Sequence, residues 1–377
     1  MNSYQFDSLK FATEGLTGYG STVIMDNANL PSFMKPINQI TNAQLFTGGS
    51  SKVAEAFNVD GVLYKRFFIS NFLNTIVNGR AYSWPGVDPR ASINFDDSVK
   101  ACNAKGTGFH LMSIPERAVI NHLIYKSGFI PRGNTQYGKN HAYTYETGEI
   151  TATESDGSGG TRTTRTATGS GPATWFHDGT RQGIADWVGN CWKWCSGMRV
   201  KNGEIQIFAG NLAAKQVSHA DASTFWKAIK PDGSLVEPGT AGTLKYTKDF
   251  KIATGTGAAG STYSPNFGNI AAGTGVTTIP EILKELFLAP VTGVTHTGGF
   301  WINNEGERLP LVGGGYRNAS NAGPSALNLN NERSNVRTNH GFFSAYPFSQ
   351  KGAFKDASQC KKGKGIYLRS GCYIRKY

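Results

Sequence analysis

The spacing of apolar residues predicts a few helices among many short strands. The clearest helix covers residues 113–128, where four apolar residues share one helical face: Val119, Ile120, Leu123 and Ile124. Ser113 and Glu116 have the separation of a capping box, and Gly128 is placed to end the helix. The residues around this helix are therefore expected to form a packed core.

Other segments have weaker but interpretable patterns. Helices are predicted at 95–106, entered through Asp96, and at 279–290. Alternating or extended apolar residues predict strands at 30–37, 62–70 and 203–210. Gly, Ser and Thr dominate 144–174 and 254–278, which are predicted to be long surface loops.

These elements together predict an α+β fold with two packed helices and many short strands. Residues 1–60 lack long periodicity and are predicted to be an N-terminal extension for assembly or oligomerisation. A single domain is predicted at 61–347, followed by a tail at 348–377.

Composition adds a folded core and a basic character. The 377 residues are 39% hydrophobic, and 47 of them are glycine, which favours turns and short strands. The net charge is +12, and residues 351–377 carry eight Lys or Arg against one acid, Asp356. Such a tail contacts an anionic partner or is a solvated, solubilising tail. No signal-peptide pattern is visible in the first residues, and no apolar run of about 18 residues predicts a membrane span.

Several groups of residues contain the side-chain types of a metal, catalytic or sugar-binding site but lack the spacing that such a site needs. Five cysteines without a secretory signal indicate reduced thiols. A zinc site would need Cys191 and Cys195 with His177 and Asp178, but structural zinc favours closer ligand pairs. Cys102 and His110 lack the turn of a nucleophile with its base. Four tryptophans could stack on sugars, although core packing is the alternative for most of them: Trp175, Trp187, Trp192 and Trp194. No catalytic residue and no metal ligand is assigned.

The segment 313–343, GGGYRNASNAGPSALNLNNERSNVRTNHGFF, holds seven asparagines. Asparagine is a turn former and is disfavoured in strands, so the segment alone predicts a loop. Apolar residues interrupt it regularly, which indicates that parts of it are anchored in a core: Ala326, Leu327, Leu329, Val336, Phe342 and Phe343.

Four motifs in order carry a family resemblance. Residues 89–120, 186–197 (DWVGNCWKWCSG), 311–318 (LVGGGYRN) and 339–343 (NHGFF) resemble the hallmark motifs of formylglycine-generating-enzyme-like domains. The resemblance covers roughly residues 62–345 and implies a C-type-lectin-like fold. The enzymes of that family have two cysteines after the glycine-rich strand, whereas residues 315–343 contain none. Their oxidase chemistry is therefore not expected here.

The same interval is similar to the variable regions of proteins diversified by retroelements, in which adenine miscopying changes asparagine codons. This resemblance implies a fixed frame that comprises Ala326, Leu327, Leu329, Val336 and Gly341. It implies thirteen exposed, changeable, ligand-binding residues: Tyr316, Arg317, Asn318, Ser320, Ser325, Asn328, Asn330, Glu332, Asn335, Arg337, Thr338, His340 and Phe343.

The expected function is non-enzymatic binding of a host-cell receptor or another macromolecule, protein or glycan, as a phage or prophage receptor-binding protein. No cofactor is expected, a structural calcium ion and a homo-oligomer are left open, and nucleic acid is disfavoured as a partner. The expected location is the virion, or the bacterial cytoplasm or cell surface. The alternatives are a formylglycine-generating-like oxidase that uses Cys191 and Cys195, and a structural tail protein. Replacing Tyr316, Arg337 and Phe343 together with alanine is expected to abolish binding and leave the melting temperature nearly unchanged.

Overall fold

The computed structural model describes residues 1–348, and the fold in this range is α+β, as predicted. The α-helices of this range are Ser3–Leu16 (α1), Asn42–Leu45 (α2), Phe95–Asn103 (α3), Ile114–Ser127 (α4) and Glu281–Glu285 (α5).

Short strands make up most of the regular structure. In chain order they are Thr22–Met25 (β1), Pro31–Asn38 (β2), Asn58–Val59 (β3), Val62–Leu63 (β4), Arg66–Ser70 (β5), Thr75–Val77 (β6), Arg80–Tyr82 (β7), His110–Leu111 (β8), Thr153–Ser155 (β9), Thr161–Thr163 (β10), Trp192–Trp194 (β11), Met198–Lys201 (β12), Glu204–Phe208 (β13), Trp226–Ile229 (β14), Leu235–Val236 (β15), Lys245–Tyr246 (β16), Lys251–Ala253 (β17), Ser261–Ser264 (β18), Ala271–Ala272 (β19), Phe300–Asn303 (β20), Glu307–Val312 (β21), Leu327–Asn331 (β22), His340–Phe342 (β23) and Ser344–Phe348 (β24).

Two sheets organise the described residues. The smaller sheet has the order β1-β2-β5-β24-β8. The larger one follows β18-β20-β22-β21-β12-β13-β16-β17-β19, and β11 joins it by pairing with β21 and β23. Residues 327–348 thus contribute β22 and β23 to the large sheet and β24 to the small one.

The predicted helices form, with adjusted ends. In α4, the Ser113 side chain accepts a hydrogen bond from the Glu116 backbone, and Gly128 takes a left-handed conformation, so both predicted ends are confirmed. Helix α3 is capped by Asn94, one residue before its start, rather than entered at Asp96. The third helix is reduced to Glu281–Glu285, which is shorter than the predicted 279–290.

The N-terminal residues contain more structure than the sequence analysis predicted. A helix, α1, spans Ser3–Leu16, and β2 pairs antiparallel with β5. The small sheet therefore contains strands from both sides of residue 60. The division of the chain into domains stays a prediction. The predicted tail lies outside the described residues apart from Phe348, the last residue of β24.

Two apolar clusters lie on opposite sides of the strands near the C-terminus. The larger cluster contains Ile114, Val119, Leu327, Leu329 and Phe343. The smaller one contains Trp192, Trp194, Leu311 and Phe342. β23 is buried along its whole length, whereas β22 packs Leu327 and Leu329 on the larger cluster and leaves Asn328 and Asn330 half-buried on its other face.

Candidate functional site

At the triple glycine that begins the segment, the backbone passes close to other parts of the chain. Gly313 and Gly314 both have φ of 81°, and a Cβ on Gly314 would lie 2.5 Å from the Cβ of Ala322. Neither position tolerates a side chain without strain. The segment therefore leaves β21 through a turn that its own sequence dictates.

A buried lysine holds this turn in place. The Nζ of Lys193 donates hydrogen bonds to the carbonyl oxygens of Gly189 (2.6 Å), Trp187 (3.3 Å) and Gly314 (3.5 Å). Burial lowers the pKa of Lys193 to about 7, and the nearby carboxylate of Asp186 partly offsets this effect. The charged form is tolerated because three carbonyl groups and a carboxylate surround it.

Helix α4 fixes the middle of the segment. Arg117 donates from Nη2 to the carbonyl of Pro324 (2.8 Å), and Asn121 donates from Nδ2 to the same oxygen (2.8 Å). The indole of Trp187 in turn donates to the side-chain oxygen of Asn121 at 2.9 Å. Backbone carbonyls that would otherwise be buried without partners are thereby satisfied.

Arg333 fixes the loop that follows β22. Its guanidinium forms ion pairs with Asp96 (2.6 Å) and Glu307 (3.1 Å) and donates to the carbonyl of His219 (2.7 Å). These bonds use all three nitrogens of its planar group. Arg333 is therefore part of the frame, and the residues after it are held close to α3.

The prediction that all thirteen residues are exposed is wrong for four of them. Tyr316, Ser325 and Phe343 are fully buried, and His340 is 4% exposed. The hydroxyl of Tyr316 bonds to Glu154 (3.1 Å) and Thr338 (3.0 Å) below the β9–β10 hairpin. Ser325 is covered because it bonds to the Tyr125 hydroxyl at 2.6 Å.

Phe343 and His340 are buried because strands bring them into the two apolar clusters. Phe343 stacks on Trp187 at 5.9 Å between ring centroids. His340 packs edge-on against Trp194 at 5.2 Å. The frame prediction is confirmed for Ala326, Leu327, Leu329 and Gly341, which are buried, and wrong for Val336, which is 51% exposed. The proposed triple alanine substitution is corrected accordingly, because two of its three residues are in the core.

The other nine residues of the set are exposed or half-buried, and we refer to them as the candidate surface. It consists of Arg317, Asn318, Ser320, Asn328, Asn330, Glu332, Asn335, Arg337 and Thr338. Two of its asparagines also act as turn formers: Asn318 accepts from the Gly315 backbone (2.9 Å), and Asn335 accepts from that of Glu332 (3.1 Å). The ligand-binding role of these residues stays a prediction.

Arg317 and Arg337 are exposed, and neither has an ion-pair partner among residues 1–348. Both lie close enough to His340 to act on its charge. Burial, Arg337 and Arg317, in that order, lower the pKa of His340 to about 3. The two guanidinium groups therefore add positive charge near His340.

The structure adds two aromatic residues that the sequence analysis did not select. Trp301 in β20 lies beside Asn328 in β22, and Tyr263 in β18 lies beside Trp301. Tyr263 is 40% exposed and Trp301 is half-buried. The alternating segment FWIN at 300–303 was the available signal for an outward-facing tryptophan. By contrast, the four tryptophans considered from the sequence are all buried, as core packing requires: Trp175, Trp187, Trp192 and Trp194.

The cysteines have the environment of packing residues. Cys102, Cys191 and Cys195 are free and buried, and burial raises the pKa of Cys191 and of Cys195 to about 12. His177 accepts from the Ile184 backbone (2.8 Å), and Asp178 pairs with Lys35 (3.1 Å). Within residues 1–348, no group of three or more His, Cys, Asp or Glu side chains is arranged to hold a metal ion.

Comparison with known proteins gives structural neighbours only, since no protein-family model and no curated protein matches the sequence. The Major Tropism Determinant U1 variant is 11% identical with a TM-score of 0.28, over 85% of this chain and 65% of that chain. Treponema denticola variable protein 1 is 10% identical with a TM-score of 0.32, over 87% of this chain and 99% of that chain. The Major Tropism Determinant M1 variant is 11% identical with a TM-score of 0.31, over 87% and 71%.

These neighbours carry the names of variable proteins and tropism determinants, the class that the sequence resembles. This chain spans 65% of the length of the U1 variant. The backbones overlap loosely at such TM-scores, so the likeness gives no residue-level information about a site. Separately, no helix of the described part of the chain has the length and apolarity needed to cross a membrane.

Proposed function

We propose that the protein binds a receptor or another macromolecule through the candidate surface, on a C-type-lectin-like fold related to formylglycine-generating-enzyme-like domains. The observation that carries this proposal is the separation of roles along residues 313–345. Frame residues of this segment are tied to α4, β11 and α3, while the nine residues of the candidate surface are exposed or half-buried. Exposed side chains can change with little effect on stability, which is what a recognition surface needs.

The oxidase alternative is disfavoured by the state of its thiols. A cysteine reacts as its thiolate, and burial holds the pKa of Cys191 and of Cys195 near 12, far above neutral pH. Both side chains are fully buried in the larger apolar cluster. A substrate would have to displace this packing before it could reach either sulfur.

The binding function is tested with intact cells as probes. Fluorescently labelled protein is incubated with a panel of Gram-negative and Gram-positive bacteria and measured by flow cytometry. We expect binding to at least one strain, and loss of most of it in the double variant Arg317→Ala/Arg337→Ala. That variant should retain the parent melting temperature within about 1 °C, because both side chains are exposed.

A matched control removes the same charge elsewhere. Lys65 and Lys248 are exposed and, within residues 1–348, form no ion pair. The variant Lys65→Ala/Lys248→Ala should bind as the parent does. Equal losses in both double variants would indicate unspecific attraction of a basic protein, and binding to no strain would contradict the proposal.

We further propose that a retroelement diversifies this surface and that the protein acts on a phage virion or a bacterial cell surface. The support for this is that four asparagines, whose codons adenine miscopying would change, lie at positions outside the core: Asn318, Asn328, Asn330 and Asn335. Sequencing the adjacent genome tests it. A reverse-transcriptase gene with a near-copy of the codons for 313–345, different mainly at adenines, is expected.

Assembly through the N-terminus is a second candidate function, favoured by helix α1. Tyr4, Phe11 and Leu16 are 79%, 80% and 86% exposed, so the helix leaves large apolar side chains uncovered. A second copy of the chain would bury them, and multiple copies would raise weak affinities by about 10²–10⁴. Light scattering after size exclusion should show an oligomer that Phe11→Ser/Leu16→Ser converts to monomer; a monomeric parent would exclude this role.

A further inference from the structure

Tyr263 and Trp301 form a stacked pair, which we call the aromatic shelf, beside the candidate surface. Their rings lie 4.8 Å apart at 29°. The edge of Trp192 supports Trp301 from the core at 5.2 Å and 87°. Because Trp301 is held by both contacts, the exposed ring of Tyr263 has a fixed orientation and little conformational entropy to lose on binding.

Amide side chains border the shelf on the same face of the sheet. Trp301 is in register with Asn328, and Asn303 and Asn330 follow two residues along the same strands. Asn328 accepts through Oδ1 from the Asn330 backbone (2.9 Å) and the Asn331 side chain (3.0 Å). Its Nδ2 donates to no residue of the described range, so a ligand hydroxyl can accept from it.

Trp192 links the shelf to the two backbone segments that carry Arg317 and Arg337. The Trp192 backbone donates to the carbonyl of Asn339 at 2.7 Å, and its Cδ1 lies 3.3 Å from the Cβ position of Gly315. Arg337 precedes Asn339 by two residues, and Arg317 follows Gly315 by two. Trp192 thus contacts both the shelf and the backbone near the two arginines, and we consider the aromatic face, the free amide donors and the unpaired guanidinium groups together as one stretch of surface.

We propose that this stretch binds a carboxylated polysaccharide, an inference that rests on the proposed binding function and names its ligand class. The apolar face of a pyranose ring stacks on the ring of Tyr263, and the hydroxyls at the ring edge bond to Asn303 and Asn328. Carboxylates of the same chain pair with Arg317 and Arg337, whose planar groups suit bidentate binding of carboxylate.

The surrounding charges favour this ligand over nucleic acid. Single-stranded nucleic acid needs a groove of cations along its phosphates. Here, exposed carboxylates interrupt the positive surface: Glu332 pairs with Arg308 at 2.7 Å, and Asp88 pairs with Arg165 at 2.9 Å. Two unpaired arginines match the widely spaced carboxylates of a polysaccharide rather than a nucleic acid, which has a phosphate on every nucleotide.

Biolayer interferometry on the full chain tests the inference with defined probes: polygalacturonate, hyaluronate and polysialic acid as carboxylated polymers, neutral dextran, and oligo(dT). We expect binding to at least one carboxylated polymer and at least tenfold weaker binding to dextran and oligo(dT). Tyr263→Ala and Arg317→Ala/Arg337→Ala should each weaken binding at least tenfold. Tyr263→Phe, which keeps the ring, and Lys65→Ala/Lys248→Ala should bind within twofold of the parent.

The site also has a spectroscopic readout that does not depend on affinity. A carboxylate placed on Arg317 and Arg337 offsets their charge, so polymer added at neutral pH, where its carboxylates are ionised, should change the NMR chemical shifts of the His340 ring. Failure of all three polymers, equal binding of dextran or oligo(dT), or an unaffected Tyr263→Ala variant would overturn the inference. If intact cells are still bound through Arg317 and Arg337 in that case, the ligand class is wrong and the binding function stands.

Discussion

Phe343 is the position at which the structure reverses the expectation from the sequence, so its substitution is the most informative. Its ring is fully buried in the larger cluster and stacks on Trp187. Truncation to alanine removes the ring from this packing and leaves a cavity, at a cost of about 3–5 kcal/mol. Arg337→Ala is the matched comparison, because this side chain is exposed, has no ion-pair partner within residues 1–348, and should cost no more than about 0.5 kcal/mol.

The expected change in melting temperature follows from chain length. Residues 1–348, at about 2.1 cal/mol/K each, give an unfolding entropy of about 0.7 kcal/mol/K. Phe343→Ala should therefore lower the melting temperature by about 4–7 °C, and Arg337→Ala by less than about 1 °C. Differential scanning calorimetry measures both, with guanidinium titration as a check. A Phe343→Ala variant that melts within 1 °C of the parent would show that the ring is outside the core.

Three further predictions concern the same frame. Gly314→Ala should destabilise the protein by about 1–3 kcal/mol in guanidinium titration, since it adds a Cβ against Ala322 at positive φ. Gly293→Ala is the control, because Gly293 also has a positive φ but has no atom near its Cβ position. The difference between the two variants is therefore the steric part of the cost. His340 has a pKa of about 3 when folded and about 6.5 when unfolded, so the unfolded chain binds more protons between these values. Stability should thus fall as pH drops from 6.5 toward 3, and His340→Gln should reduce this dependence. Iodoacetamide should leave Cys191 and Cys195 unmodified in the native protein, as mapped by mass spectrometry; rapid labelling would revive the thiol chemistry.

Local signals in the sequence were sufficient for the elements that depend on local chemistry. The capping box and terminal glycine of α4 are determined within a few residues, and both were predicted. The same signal existed for α1, where Asn2 and Gln5 form a capping box, but its apolar residues do not lie along one stripe. Because that stripe is missing, the pattern of apolar residues did not predict this mostly exposed helix.

Burial at the site depended on contacts that no local pattern contains. Tyr316 is covered by Glu154 and Thr338, and both of these residues are distant from it in the sequence. Phe342 packs in the smaller apolar cluster and Phe343 in the larger one, so both neighbours are buried and the usual alternation of inside and outside does not apply. The alternation did hold in β22, where Leu327 and Leu329 point inward and Asn328 and Asn330 outward.

The strand β24 follows the candidate surface after the short strand β23, and it pairs on one side with β5 and on the other with β8. A chain truncated within the candidate surface would lack β24, an interior strand of the small sheet. Such a product would expose two open strand edges and would be removed by proteolysis or aggregation. Completion of the small sheet therefore depends on residues that the chain reaches only after it has passed through the candidate surface.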